Sequence, residues 1–183
     1  MSKVLVPLAE GCEELEAVTI IDLLRRAGIE VVAAGLQPGI VKASRGTQIV
    51  PDMTLDAATQ QDYDMVVLPG GMPGMTHLRN DARIRKLLQE MAGKGKFTAA
   101  ICAAPVVLAE AGLLAGKQAT SYPGFLDALK LPDTQYQTGA VVRDGKVLTS
   151  RGPGTAMDFA LALIEALAGR DKRNEVEAGL VRA

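Results

Sequence analysis

The 183-residue chain carries 20 basic and 21 acidic residues, a formal net charge of −1, so it has no electrostatic footprint for nucleic acid or an anionic membrane. Apolar residues make up 48% and charged residues 22%, the balance of one globular domain, residues 1–183, large enough to bury a core. With aromatics at 3% and no tryptophan, that core must be aliphatic, and the stacking platforms of single-strand nucleic-acid binders are missing. No apolar run approaches the ~20 residues of a membrane span. Glu10, Glu13 and Glu14 interrupt the N-terminal segment, so no signal peptide is expected. Cys12 and Cys102 show neither CxxC nor metal spacing, and His77 is the single histidine. Neither a disulfide framework nor a zinc site is implied, and a reducing cytoplasm is the expected compartment.

In chain order, Lys3–Leu8 reads as a buried strand ending in the turn Ala9-Glu10-Gly11-Cys12. A helix follows from Glu13 to Ala27, with three glutamates in its first turn, Arg25 and Arg26 in its last, and Gly28 as C-cap. Its apolar positions, Leu15, Val18, Ile20, Ile21, Leu23 and Leu24, span more than one core stripe, which suggests a second partner and hence a homodimer. Ile29–Ala34 is a second buried strand. Ile40–Ala43 and Thr47–Val50 form a hairpin around Ser44-Arg45-Gly46. Leu55–Gln61 is a short helix, and Asp64–Leu68 a buried strand running into Pro69-Gly70-Gly71.

Asp81 caps an amphipathic helix to Ala92, with Ile84, Leu87, Leu88 and Met91 as its stripe. Phe97–Ile101 is a strand that meets a helix pattern beginning at Pro105, with Cys102 at the junction. A short strand is expected at Ala119–Ser121, an Asp144-Gly145 hairpin at Val141–Thr149, and a buried helix at Ala156–Ala168, followed by a polar tail with a weak helix. Alternating buried strands and helices predict a doubly wound α/β sheet of the flavodoxin type, with its site at the carboxyl ends of the strands. Three loops should meet there: Glu10–Glu16, Pro69–Gly74 and Cys102–Pro105.

Cys102 sits where a strand-to-helix elbow would project its side chain over the sheet. A helix N-terminus favours an anion, so this thiol is expected to lose its proton more readily than a free cysteine. The competing reading is a small buried hydrophobe. A thiolate nucleophile needs a proton-handling partner and oxyanion donors. Glu13, Glu14 and Glu16 are all candidates for the first, or else solvated first-turn residues. Gly70-Gly71 supplies unobstructed amides for the second, or is only a tight turn. Arg45 could reach an anionic substrate, or be a surface ion-pair residue. Phosphate motifs fail: Gly112–Lys117 is one residue short of a P-loop, Gln118 stands where Ser or Thr is required, and no GxGxxG follows the first strand. A cysteine protease needs a base beside the thiol, and neither neighbour of Cys102 is histidine.

Five segments, Glu13-Glu14-Leu15-Glu16, Ser44-Arg45-Gly46, Val67-Leu68-Pro69-Gly70-Gly71, Ala99–Pro105 and Thr149–Thr155, resemble in order and spacing the motifs of the ThiJ/PfpI superfamily. Within it the match is to the branch of a parkinsonism-associated human deglycase and a bacterial chaperone. The resemblance implies a flavodoxin-like sandwich, a homodimer formed partly by the first helix, and no metal or organic cofactor. It maps the nucleophile to Cys102, the proton-sharing carboxyl to Glu16, and the oxyanion donors to the backbone N–H groups of Gly71 and Ala103. Arg26 and Arg45 map near the pocket and dimer seam, and Gly70 and Tyr122 join them as expected substrate contacts. Tyr122 stands where human-like members carry a histidine, which leaves Glu16 as the proton-transfer side chain. Ala103 stands where the protease-like branch has histidine, which argues against a peptidase.

The resemblance implies glyoxalase and deglycase chemistry on methylglyoxal, glyoxal and their early adducts on proteins or nucleotides. A redox-sensing chaperone, with Cys102 oxidised to the sulfinic acid, is the rival reading. A biosynthetic role such as a thiamine-pathway one is the third. Cys12 is read as a bystander.

Overall fold

The aliphatic runs at Val4–Val6, Met65–Leu68 and Phe97–Ile101 are buried without alternation, because helices cover both faces of a parallel sheet. The computed structural model describes residues 1–182. Strand β1 (Lys3–Leu8) leads through helix α1 (Glu14–Arg26) to strand β2 (Glu30–Gly35). The hairpin β3 (Val41–Lys42) and β4 (Gln48–Ile49) follows, then the edge strand β5 (Met53–Thr54), helix α2 (Leu55–Ala58) and strand β6 (Met65–Leu68). Helices α3 (Gly74–Asn80) and α4 (Ala82–Gly93), strand β7 (Phe97–Ile101) and helix α5 (Pro105–Glu110) form the middle of the chain. Strands β8 (Gln118–Ala119), β9 (Gln135–Tyr136), β10 (Val141–Asp144) and β11 (Val147–Ser150) precede helices α6 (Ala156–Ala168) and α7 (Arg170–Gly179).

The main sheet has the order β10-β11-β7-β6-β1-β2-β5. Its strands are parallel except for the β10–β11 hairpin at one edge. From β1 the chain moves outward to β2 and β5, then returns past β1 to β6 and β7. That reversal opens a crevice at the carboxyl ends of β1 and β6. Helices α1 and α6 pack on each other, and α3, α4 and α5 form a second group. Among the described residues no helix is long and apolar enough to cross a membrane.

Most expected elements are present with shifts of a residue or two. Asp81 caps α4 through a bond from the Arg83 N–H to its carboxylate at 2.9 Å. Two differences have clear causes. Helix α2 stops at Ala58 rather than Gln61. Helix α3 was not expected at all: it starts after Pro73, has no side-chain cap, and buries only Gly74, Met75 and Leu78, too few apolar positions to show a period. On α1, Ile20, Leu23 and Leu24 enter the core while Leu15 and Val18 remain half exposed. The wide stripe therefore has one covered and one uncovered side in the protomer.

Candidate active site

Register brings the three loops together. Leu5 pairs with Val66, Leu68 with Ala100, and Ile101 with Ser150, so β1, β6 and β7 end at one rim. Cys102 follows β7 with φ at +64°, a left-handed conformation that is costly for a residue with a Cβ. The surrounding structure holds it there from both sides. Its N–H donates to the Ser150 carbonyl at 3.0 Å, and its own carbonyl accepts from the Tyr122 N–H at 2.8 Å.

Of the three glutamates, Glu16 turns inward and is fully buried. Its Oε2 accepts the Gly70 N–H at 2.8 Å. Its other oxygen, Oε1, is buried with no hydrogen-bond partner, and the Cys102 thiol is the side chain near enough to pull the carboxyl's pKa down. The other two glutamates have structural tasks. Glu13 caps α1 by accepting the Glu16 N–H at 2.8 Å. Glu14 accepts the Arg45 N–H at 3.0 Å, the Thr47 N–H at 3.3 Å and the Ser44 hydroxyl at 3.1 Å. These bonds hold its pKa down to about 2 and tie the β3–β4 turn to the start of α1. Glu14 was thus undervalued as a solvated first-turn residue.

Close approach is possible because two residues lack side chains. A Cβ on Gly70 would stand 2.6 Å from the Cys102 Cβ and 2.9 Å from Glu16 Oε2. Gly71 has φ at +90°, and a Cβ there would meet the Glu13 backbone nitrogen at 2.3 Å.

The thiol's acidity differs from the expectation. Burial first, then the charge of Glu16 and its hydrogen bond, push Cys102 up to about 12. The amides of Gly71 and Ala103 pull in the opposite direction but do not win. Local elbow geometry omits the two larger contributions, the loss of water and a carboxylate neighbour. Helix α5 has only six residues, too few to offset them. Burial likewise raises Glu16 from 4.5 to about 7. Glu16 can therefore hold a proton well above the ordinary carboxylate range. When Glu16 holds that proton, repulsion of the thiolate vanishes, and the carboxyl O–H can donate to sulfur.

The thiol opens into a cavity of about 420 Å³ bordered by Glu13, Arg45, Gly71, Ala103, Tyr122 and Phe125. Ser44, Met72 and Pro153 also line it; Ser44 and Pro153 fall within the resembling segments, whereas no pattern marked Met72 or Phe125. Tyr122 packs edge-on to Phe125 with ring centroids 6.2 Å apart. Arg26 is not brought to the cavity. It lies ten residues beyond Glu16 on α1, ~15 Å along the axis, and pairs with Asp22 at 2.7 Å. His77 is also outside, its Nδ1 at 2.9 Å from the Glu10 carbonyl. Cys12 is fully buried and pushed up to about 12 by burial and the charge of Glu14, so it presents no accessible thiol. Among the described residues no cluster of three or more His, Cys, Asp or Glu is suited to a metal ion.

Comparison with known proteins agrees with this geometry. The model of the DJ-1/PfpI family matches residues 2–166. The chain belongs to the DJ-1/PfpI family. It is 46% identical over 185 residues to the DJ-1/PfpI protein dj-1beta of Drosophila melanogaster, covering 100% of this chain and 99% of that one. The crystal structure of that fly protein superposes with a TM-score of 0.95 at 45% identity, with both chains covered in full (100%). Oxidized Toxoplasma gondii DJ-1 gives the same TM-score, 0.95, at 43% identity and 100% coverage of both chains. The glutathione-independent glyoxalase DJR-1.2 of Caenorhabditis elegans is 36% identical over 167 residues, 91% of this chain and 89% of that protein. The flavodoxin-like sandwich expected from the sequence is therefore the DJ-1/PfpI fold.

Proposed function

We propose that the protein is a cofactor-independent glyoxalase of the deglycase type, acting in the cytoplasm on methylglyoxal, glyoxal or their early adducts. The observation that carries this reading is the Cys102 thiol opening on one cavity beside the Gly71 and Ala103 amides, with the buried carboxyl of Glu16 behind it. A glyoxalase among the relatives supports it.

In the proposed sequence, the Cys102 thiolate adds to the aldehyde carbon of the α-oxoaldehyde while its proton rests on Glu16. The oxyanion of the hemithioacetal is held by the Gly71 and Ala103 N–H groups and takes up that proton. Glu16, again a carboxylate, removes the proton from the former aldehyde carbon and returns one to the adjacent carbonyl carbon, while the hydroxyl proton of the adduct passes to the oxygen on that adjacent carbon. This isomerises the adduct to the thioester of a 2-hydroxy acid. Water adds to the thioester, lactate leaves, and the thiol is regenerated. With an early glycation adduct, the same attack expels the amine or guanidine. Arg45 and Tyr122 bound the space available to substrate, whereas Gly70, expected beside them, is buried behind the cavity with its N–H on Glu16. A peptidase would need an imidazole at the thiol, and His77 lies outside the cavity.

The test is lactate production from methylglyoxal. The Cys102→Ala variant is expected to fall to the uncatalysed background, and persistent turnover in it would sink the mechanism. A second reading, a redox-sensing chaperone, has one specific support. Glu16 Oε1 lacks a partner and, when protonated, could donate to an oxygen placed on Cys102; a structural relative was solved in an oxidized form. No gain of oxygen on Cys102 after mild peroxide, read by mass spectrometry, would count against it.

A further inference from the structure

A second cavity, about 530 Å³, lies at the carboxyl ends of β1 and β2 and is bordered by Leu8, Glu10, Leu36, Ile40, His77 and Asn80. Its volume falls in the ~300–1,000 Å³ range of small-ligand sites. It shares no lining residue with the thiol cavity. The two are nevertheless close neighbours. Glu10 borders one and Glu13 the other, and three residues of chain span at most ~11 Å.

The lining separates into two parts. Leu36, Pro38 and Ile40 make an apolar wall, with Ile40 58% exposed. Glu10, Gln37, His77 and Asn80 supply polar atoms. Among the described residues, no lysine or arginine side chain forms an ion pair with Glu10; its one bond is from the Lys42 backbone N–H at 3.1 Å. Asp81, also at the border, is already committed to Arg83 at 2.6 Å. Arg83 reaches the rim through the Leu36 carbonyl at 2.9 Å, but Asp81 and Asp56, the latter at 2.7 Å, neutralise it. The uncompensated charge of the cavity is therefore the Glu10 carboxylate.

The histidine adds an acceptor beside it. His77 Nδ1 sits 2.9 Å from the Glu10 carbonyl oxygen. A carbonyl can only accept, so Nδ1 carries the proton and Nε2 of the neutral ring is left as an acceptor. The exposed side-chain amides of Gln37 and Asn80, each with an oxygen that can accept, stand at the mouth above the apolar wall. A matching ligand has a flat cationic head with several donors and no acceptor, on an alkyl stem. An alkylguanidinium has this form, and its planar fork suits a carboxylate.

We infer that this cavity is a binding site for an arginine side chain of a polypeptide. The assignment does not depend on the thiol chemistry, although an arginine seated here would hold neighbouring residues of the same polypeptide beside the Cys102 cavity.

Because the chain has one histidine, its imidazole resonances in a long-range proton–nitrogen NMR spectrum report this cavity alone. The probe is N-acetyl-arginine amide, with the neutral isostere N-acetyl-citrulline amide as control. The arginine probe is expected to shift the His77 signals saturably and the citrulline probe not to. Glu10→Gln should weaken the arginine probe by about tenfold or more, the loss of one charge-assisted contact. That side chain is exposed, and glutamine retains an oxygen for the Lys42 N–H, so the fold is preserved; an unchanged amide spectrum elsewhere checks this. Equal shifts from both probes, no saturable shift, or unchanged affinity in Glu10→Gln would each overturn the assignment. The same titration on Cys102→Ala should give the wild-type affinity.

Discussion

If Glu16 holds a proton that its unfolded counterpart releases, stability must fall as pH rises between the two pKa values. The folded group is raised from 4.5 to about 7, chiefly by burial. Below pH 4.5 both states are protonated. Between 4.5 and about 7 the unfolded chain loses its proton first, which stabilises the unfolded state; above 7 both are ionised and the loss is complete. At ~1.4 kcal/mol for each tenfold change in proton affinity, the loss amounts to roughly 3 kcal/mol. Glu16→Gln removes the titration while keeping an oxygen for the Gly70 N–H, now 2.8 Å away. Urea unfolding of both proteins from pH 4.5 to 8 gives the two stability curves. Their difference cancels the contributions of groups common to both, and it should tilt by roughly 3 kcal/mol against the wild type as pH rises. A difference independent of pH would refute the reasoning, because it would mean that the buried carboxyl is ionised throughout this window. Cys102 does not enter the window, since its own titration is displaced upward, from 9.0 to about 12.

Gly70→Ala should destabilise the fold by roughly 2–3 kcal/mol, the cost of overpacking, because the new methyl would stand 2.6 Å from the Cys102 Cβ; wild-type stability in urea would show that the rim relaxes freely. Glu14→Ala should free the β3–β4 turn, read as faster hydrogen exchange at the Arg45 and Thr47 amides that Glu14 now accepts. The folded Glu14 is held down to about 2, so in the wild type this clamp is complete above its unfolded value near 4.5 and is lost as pH falls through about 2. Unchanged exchange at those amides would contradict the clamp. A homodimer through the uncovered side of α1 should sediment as such at micromolar concentration, and Leu15→Glu with Val18→Glu should convert it to monomer; a monomeric wild type would remove the proposal.

The elements most visible in the residues are those whose pattern is local. Val4–Val6 and Met65–Leu68 read as buried strands because continuous aliphatic runs of that length have few alternatives. Asp81 reads as a cap because its short carboxylate reaches the next turn's amide, and it does so at 2.9 Å. Helix α3 escaped because its three buried positions include Gly74. Strand β5 escaped because two residues, Met53 and Thr54, carry no period; they pair with Ala34 and Gly35 only once β2 is in place.

The site divides along the same line. Cys102 was legible as an elbow thiol because strand, elbow and Pro105 are consecutive in the chain, but the pattern left it open against a small buried hydrophobe, and the resemblance named it the nucleophile. Its partner was not legible from the residues alone. Glu13, Glu14 and Glu16 are equivalent as first-turn acids, and the resemblance rather than the pattern singled out Glu16. The folded chain separates them by direction: one caps the helix, one grips the hairpin, and one turns under Gly70. Arg26 came from the resemblance and from no pattern of its own; in the protomer the helix rise puts it at the far end of α1, beside Asp22.

By itself the amino-acid sequence determined the longer strands and helices and which residue stands at the elbow, because those choices depend on neighbours a few positions away. Only the tertiary structure decided the protonation chemistry. Packing at the rim where β1, β6 and β7 end buries Glu16 fully and Cys102 on all but its cavity side. The charge of Glu16 acts on the thiol across 86 positions of chain. Desolvation and through-space charge depend on that packing, and together they reverse the acidity that the elbow alone would have given the thiol.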